Sequence, residues 1–355
     1  MTRFSAQARI EMADAERVIA AVCDHMIEHQ GRLERQGDAH ILHFPNASAR
    51  FHRDAGQTLI DVSAADLEGI YYVRMAIASH IAEFAGEAAP DIVWDGDGSD
   101  LARPPNFQIL QIEAITNLTP HMRRLTLSGP DVVRFCPMDA LHLNILVQQP
   151  GLAAPQWPSV GADGLIAWAE PDKRPAFRKY TVRAVDVAAG TLDIDFVRHA
   201  DAGPGSDFAE TARIGDRLGV AGPGGGGLAE ADWYLFAGDE TALPAIARML
   251  ECLPETASGQ AFIEVTDAAE IQPIRSRSNV EITWLTRDGR PAGTTALLPD
   301  AIAATLFPVA GTSIYVWAGC EFEAFQTIRA HLRRQRGLKK HEHLAVSYWR
   351  RGASG

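Results

Sequence analysis

The sequence is poor in cysteine. Its four residues, Cys23, Cys136, Cys252 and Cys320, are far apart in 355 positions and never form a C-x-x-C pair. That spacing suggests neither a zinc knuckle nor a disulfide framework, so the thiols are read as reduced and mostly buried. Long apolar runs are also missing. No stretch approaches the roughly 20 consecutive apolar residues of a bilayer span, and residues 1–9 lack the apolar block of a secretory signal, so a cytoplasmic protein is expected. Positive charge is in deficit, with 33 Lys and Arg against 45 Asp and Glu and a formal net charge of −12. This disfavours a general nucleic-acid coat. There is no internal repeat, and low complexity is confined to the glycine tract at 224–227.

What is present fits a multidomain α+β protein. The length exceeds one ordinary domain, and a hydrophobic share of 46 % is enough for packed cores. Residues 95–105 are polar, glycine-bearing and closed by two prolines, the composition of a linker, so a small α+β domain is expected over 1–98. Within it Asp14 can cap a helix over 15–29, where Val18, Val22 and Met26 recur at helical spacing. Strand-like runs follow at 40–44, 49–52 and 58–63, then a helix over 66–85. From 106 to 227, short alternating or β-branched runs at 107–116, 121–128, 142–147, 178–187, 191–197 and 217–221 suit an antiparallel β-barrel. From 228 to 355, strands at 233–237, 261–266, 281–285 and 313–318 alternate with helices at 244–252 and 322–336, the pattern of an α/β, Rossmann-like domain. A barrel followed by such a domain is the layout of flavin reductases that take hydride from a nicotinamide nucleotide, although layout alone assigns no function.

Arg178-Lys-Tyr180-Thr181 opens a barrel strand. Alternation throws Arg178 and Tyr180 to one face and Thr181 to the other. A guanidinium there can meet a pyrophosphate bidentately, a phenol can pack beside a flavin ring, and a hydroxyl or backbone N–H can reach the ring's redox nitrogen. An edge-strand arginine beside an interfacial tyrosine accounts for the same residues. The next strand ends at Val197 and continues through Arg198-His199 to Gly203-Pro204-Gly205-Ser206, where backbone N–H groups can crowd around an anion and Ser206 reads as a helix cap. An ordinary Gly-Pro turn is the alternative. Gly238-Asp239-Glu240-Thr241 follows an apolar strand and precedes Pro244, the place where a nucleotide meets such a sheet, but it is not G-x-G-x-x-G.

In order and spacing these segments resemble the siderophore-interacting protein family, the flavin-dependent ferric-siderophore reductases. The matching residues are Arg178-Lys-Tyr-Thr-Val-Arg183, the run 199–209 with its Gly-Pro-Gly-Ser, Gly215-Asp216 before Gly222-Pro-Gly224, Gly238-Asp-Glu-Thr-Ala-Leu-Pro-Ala245 and Tyr348-Trp-Arg-Arg-Gly352. The resemblance covers 107 to the end, and residues 1–98 look like a DUF2218 domain of unknown role. It implies a ferredoxin-reductase-like arrangement, with an FAD-binding barrel over 106–227 and an NAD(P)H-binding-like domain over 228–355. FAD would be held by Arg178, Tyr180, Thr181, Val197, His199, Gly203, Pro204, Gly205, Ser206 and Phe208. An electron donor, NADPH, NADH or a ferredoxin-like protein, would dock near Gly238, Asp239, Glu240 and Thr241. This chain departs from the family at Gly205, where alanine is usual, at Phe208, where tryptophan is usual, and at Gly224 in place of an arginine. Those departures put the FAD affinity and the adenosine-side contacts in question.

Eight of the 33 basic residues fall between Arg329 and Arg351, against Glu342 alone. Lys339, Lys340 and Arg350 are the candidate binding residues for an anionic ferric siderophore, whereas Arg329 to Arg336 also suit a solvated basic helix face. Arg275 and Arg277 are candidates for a 2′-phosphate, or are simply solvated. His25 with His29, and His341 with His343, have metal-ligand spacing but no convincing third ligand, so no metal site is expected. No catalytic acid or base is required. The leading reading is a reductase of ferric siderophores. A flavin or ferredoxin-type reductase with another acceptor, and a siderophore or flavin binder without turnover, are the alternatives.

Overall fold

The computed structural model describes residues 3–29, 31–199 and 203–353, so residues 200–202 of the expected phosphate loop lie outside the described residues. Two compact units result, one of Met1–Phe107 with Pro150–Arg174 and one of Gln108–Gln149 with Pro175–Gly355.

The first unit orders strands β1 (Phe4–Ile10), β2 (Arg32–Gln36), β3 (Ala39–His43), β4 (Ala47–Asp54), β5 (Gln57–Ala64) and β6 (Trp94–Gly96) as β2-β3-β4-β5-β1-β6. Helices α1 (Ala15–Glu28) and α2 (Leu67–Ala85) supply the other layer. Alternate strand residues such as Ala47, Ala49 and Phe51 meet Val18, Val22 and Met26 of α1 and Ile70, Ile77 and Ile81 of α2 in one core. Asp66 caps α2 by accepting from Gly69 N at 2.7 Å. Asp14, expected to cap α1, makes no side-chain cap bond. The sequence reading omitted β1 and β2. β2 is largely exposed and charged, so it carries little apolar alternation.

The barrel begins with β7 (Phe107–Thr119), β8 (Met122–Ser128) and β9 (His142–Val147). Residues 150–174 then leave it. They carry a short hairpin of β10 (Ser159–Val160) and β11 (Ile166–Ala167) and belong to the first unit, a detour that the sequence did not announce. The chain returns with β12 (Ala176–Thr181), β13 (Ala184–Asp186), β14 (Thr191–Val197), helix α3 (Pro204–Thr211) and β15 (Arg217–Gly224), giving the order β12-β9-β15-β7-β8-β14-β13. The single strand expected at 178–187 is thus two. β12 pairs with β9 and β13 with β14, at opposite ends of the sheet, and the bend at Val182 and Arg183 carries the chain across the closing curl. The rings of Tyr180 (β12) and Phe196 (β14) meet over that closure, 4.3 Å between centroids.

The α/β part comprises β16 (Trp233–Gly238), α4 (Leu243–Cys252), β17 (Ser258–Val265), β18 (Asn279–Thr286), α5 (Leu297–Ala304), β19 (Ile314–Glu321), α6 (Phe322–Ala330) and β20 (His343–Trp349). Its sheet, β18-β17-β16-β19-β20, is parallel throughout. The helix expected over 322–336 ends at Ala330 and widens into a π turn over His331–Gln335. α5 and β20 were not foreseen. Arg248 of α4 is buried and donates to the carbonyls of Val182 (2.8 Å), Phe135 (2.6 Å) and Cys136 (3.1 Å), and Arg183 forks onto Glu251 at 2.8 Å twice. These bonds join α4 to the barrel. Among the described residues no helix is long and apolar enough to cross a membrane.

Candidate functional site

Two places in the second unit gather the expected residues. The first lies where β12 meets α3. Arg178 and Tyr180 share the half-buried face of β12, while Phe177 and Lys179 are exposed on the other. The Arg178 guanidinium bonds the carbonyl of Phe177 at 2.8 Å. Burial pushes the Tyr180 phenol up to about 12. Gly203, not Ser206, is the N-cap of α3, and Pro204 starts the helix. Ser206 therefore sits in the first turn, where its Oγ is buried without a hydrogen-bond partner. A Cβ at Gly203 would meet nothing within 4 Å, whereas one at Gly205 would strike the Tyr180 hydroxyl. Phe208 leans towards Phe196, 6.3 Å between centroids, Val197 is half-buried at the end of β14, and His199 is exposed. Arg123 and Arg198 hold α3 from outside, through the carbonyl of Ala209 at 2.7 Å and the carboxylate of Glu210 at 3.0 Å.

The second place is the carboxyl edge of the parallel sheet, where the strand order reverses between β16 and β19. Open α/β sheets take ligands at such switch points. Gly238 and Gly319 are paired there, so close that a Cβ on Gly238 would lie 2.8 Å from the carbonyl oxygen of Gly319. Tyr348 and Trp349, ending β20, cover this edge. The Tyr348 hydroxyl lies 2.5 Å from His142 Nε2, and His142 is the register partner of Thr181 across β9 and β12. Burial, then the charges of Lys179 and Arg248, push the His142 imidazole down to about 4, and burial pushes the Tyr348 phenol up. His142 is therefore neutral near pH 7 and shares one hydrogen bond with Tyr348, whose direction the imidazole tautomer sets. Thr181 Oγ1 is buried beside Tyr348 without a well-formed hydrogen bond.

Asp239 and Glu240, expected to face a donor nucleotide, are buried and engaged within the fold. Asp239 accepts from Thr241 N (3.0 Å), Thr241 Oγ1 (2.5 Å) and Trp349 Nε1 (2.8 Å). Burial, then the Glu240 charge, raises its carboxyl to about 6. Glu240 pairs with Arg287 at 2.5 and 2.9 Å, and Arg287 also reaches Glu264 at 3.4 Å. Burial draws the Arg287 guanidinium down, but its bonds to Glu240 prevail and the net shift is upward. Burial raises the Glu264 carboxyl. The sequence reading missed His142, Arg248, Glu264 and Arg287. The terminal Tyr-Trp pair had been noted only as part of a motif.

The proposed siderophore cations are not brought together. Lys339 and Lys340 precede β20 and are exposed, whereas Arg350 follows it and lies 4.6 Å above the Phe322 ring. Seven strand residues, about 23 Å of rise, separate the two ends. Only Arg350 borders the edge with Tyr348. Arg275 and Arg277 precede β18, so they stand at the amino edge of the sheet, opposite the Gly238 loop.

Comparison with known proteins identifies relatives of each part of the chain. Residues 231–352 match the profile of the siderophore-interacting protein, 111–227 that of the siderophore-interacting FAD-binding domain, and 7–95 that of an uncharacterized protein conserved in bacteria, DUF2218. Ferric vibriobactin reductase ViuB of Vibrio cholerae is 34% identical over 236 residues, 65% of this chain and 85% of that protein. The structure of a siderophore utilization protein from T. fusca shares 40% identity with a TM-score of 0.59, over 70% of this chain and 94% of that one. The siderophore-interacting protein SipS from Aeromonas hydrophila shares 32% identity at the same TM-score, over 70% and 93%. With its barrel and its terminal sheet both matched, the chain belongs to the siderophore-interacting protein family.

Proposed function

We propose that the protein is an FAD-dependent reductase that releases iron from ferric siderophores in the cytoplasm. The observation that carries the cofactor is the buried Ser206 Oγ, which has no hydrogen-bond partner in the first turn of α3, where Gly205 lies against the Tyr180 hydroxyl. An unmet buried polar group costs about 1–3 kcal/mol, and a polar ligand laid along β12 and the first turn of α3 relieves it. The residues fit FAD. Arg178 and the first turn of α3, Gly203 to Ser206, offer a guanidinium and free backbone N–H groups to a pyrophosphate. Tyr180, Val197 and Phe208 offer apolar surface to the ring system, and Thr181 and His199 offer polar contacts.

Bound FAD supplies two-electron acceptance and one-electron release, so one two-electron donor serves two ferric chelates. Hard oxygen ligands hold Fe(III) better than Fe(II), and reduction therefore loosens the chelate. The chain's own share is positioning and exclusion of water. Tyr348 and Trp349 roof the sheet edge, neutral His142 holds the Tyr348 hydroxyl without adding charge, and Arg350 attracts an anionic chelate. We place the donor, NADH, NADPH or a ferredoxin-like protein, at the same edge. Its contacts there fall to Thr241 and the Gly238 backbone, because Asp239 and Glu240 are committed inward.

Reconstitution with FAD, anaerobic reduction with each donor and mixing with a ferric siderophore test this reading. It expects flavin absorption bands, their bleaching by an effective donor, and ferrous ion trapped by a chromogenic chelator. Absence of flavin bands overturns the cofactor assignment, and retained flavin without ferrous colour overturns the reductase.

A further inference from the structure

Helical spacing brings two histidines of the first unit together, and folding adds a third. His25 and His29 lie one turn apart on α1 with their Nε2 atoms at 3.1 Å. The ring of His80, on α2, stands 4.8 Å from that of His25 and 6.5 Å from that of His29, centroid to centroid. His80 Nδ1 donates to the carbonyl of Ala76 at 2.7 Å. That bond selects the tautomer whose Nε2 carries a free lone pair, the arrangement that usually stands behind a metal-bound imidazole. The ring of Phe84 packs on both His25 and His80. Val22 and Met26 of α1 share a core with Ile77 and Ile81 of α2, so the two helices are held in register.

We propose that His25, His29 and His80 bind one divalent transition-metal ion of the zinc, iron, nickel and copper group through their Nε2 atoms. Imidazole nitrogen suits these ions. Two ligands bonded at about 2.0–2.1 Å to a tetrahedral ion lie about 3.3 Å apart, close to the His25–His29 separation. Among the described residues no three such side chains already enclose an ion position, and the wide His29–His80 spacing identifies what must move. His29 is exposed and free to turn its ring inward, whereas His25 and His80 are half-buried. Water completes the coordination. A hydrogen-bonded imidazole pair accounts for His25 with His29 but not for the third imidazole that His80 brings to 4.8 Å from His25. The site stands on the first unit alone and is independent of the reductase reading.

Titrating Zn²⁺ into the purified full chain against a chromophoric chelator, with Co²⁺ as an optical probe, decides the matter. The wild type is expected to take up one ion per chain and, with Co²⁺, to show the intense visible bands of a tetrahedral site. His29→Gln, at an exposed position, and His80→Gln should each weaken uptake about tenfold or more and abolish the bands, with the melting temperature of His29→Gln unchanged. Equal zinc affinity in the wild type and His29→Gln overturns the site. So does wild-type uptake no greater than that of the His25→Gln/His29→Gln variant.

Discussion

The hydroxyl of Tyr180 fills the space that a side chain at Gly205 would need, since a Cβ there would run into the Tyr180 oxygen. The first turn of α3 and the ring of Tyr180 are therefore fitted to each other. Gly205→Ala should push the ring off Phe196, lower stability by about 1–3 kcal/mol as overpacking does, and weaken FAD binding. Thermal melting and flavin fluorescence titration measure the two effects. Unchanged values for both would show that the ring moves freely.

Asp239 is buried, and its carboxyl is raised from 3.8 to about 6. A carboxyl raised on folding favours the native state while protonated and loses that contribution as pH climbs through the raised value. A rise from 3.8 to about 6 corresponds to about 3 kcal/mol. Asp239→Asn cannot ionise, so its stability relative to the wild type should improve by about that amount between pH 3 and pH 7. Urea denaturation of both proteins over this range is the measurement, and a flat difference refutes the assignment.

Arg248 satisfies three backbone carbonyls from inside the contact between α4 and the barrel. Arg248→Met keeps much of the volume and removes every donor. The stranded carbonyls should cost about 3 kcal/mol, visible as a lower urea midpoint with the same slope. Retained stability would mean that water replaces the guanidinium.

Arg350 and the Lys339/Lys340 pair make opposite predictions, because β20 lies between them. Arg350→Ala should raise the dissociation constant of an anionic ferric siderophore about tenfold, with an effect that shrinks in salt. The Lys339→Ala/Lys340→Ala double variant should stay within about twofold of the wild type. Equilibrium titration by fluorescence quenching distinguishes them, and the reverse ranking would place the chelate at the amino edge of the sheet.

Much of the fold was legible because alternation and helical spacing are local. The strands His142–Val147 and Thr191–Val197 fall where their apolar alternation put them, and Arg178 shares a face with Tyr180 as period two requires. Legibility stopped where a residue's partner is remote. Arg287 finds Glu240 across 47 positions and Glu264 across 23, and nothing in the local pattern of either marks the pairing. Ser206 looked like a cap because it is a serine before an apolar run. Gly203 and Pro204 start the helix earlier, since proline is well placed at the first helical position.

By itself the sequence determined the succession of elements, the barrel followed by an alternating α/β segment, and the family motifs that ride on them, because each depends on a few neighbouring residues. Only the tertiary structure decided that residues 150–174 belong with the first unit, that Lys339 and Arg350 stand at opposite ends of a strand, that Tyr348 reaches His142, and that His80 joins His25 and His29. Those outcomes depend on strand order, strand direction and helix packing, which are set by the burial of whole faces against one another rather than by any local run of residues.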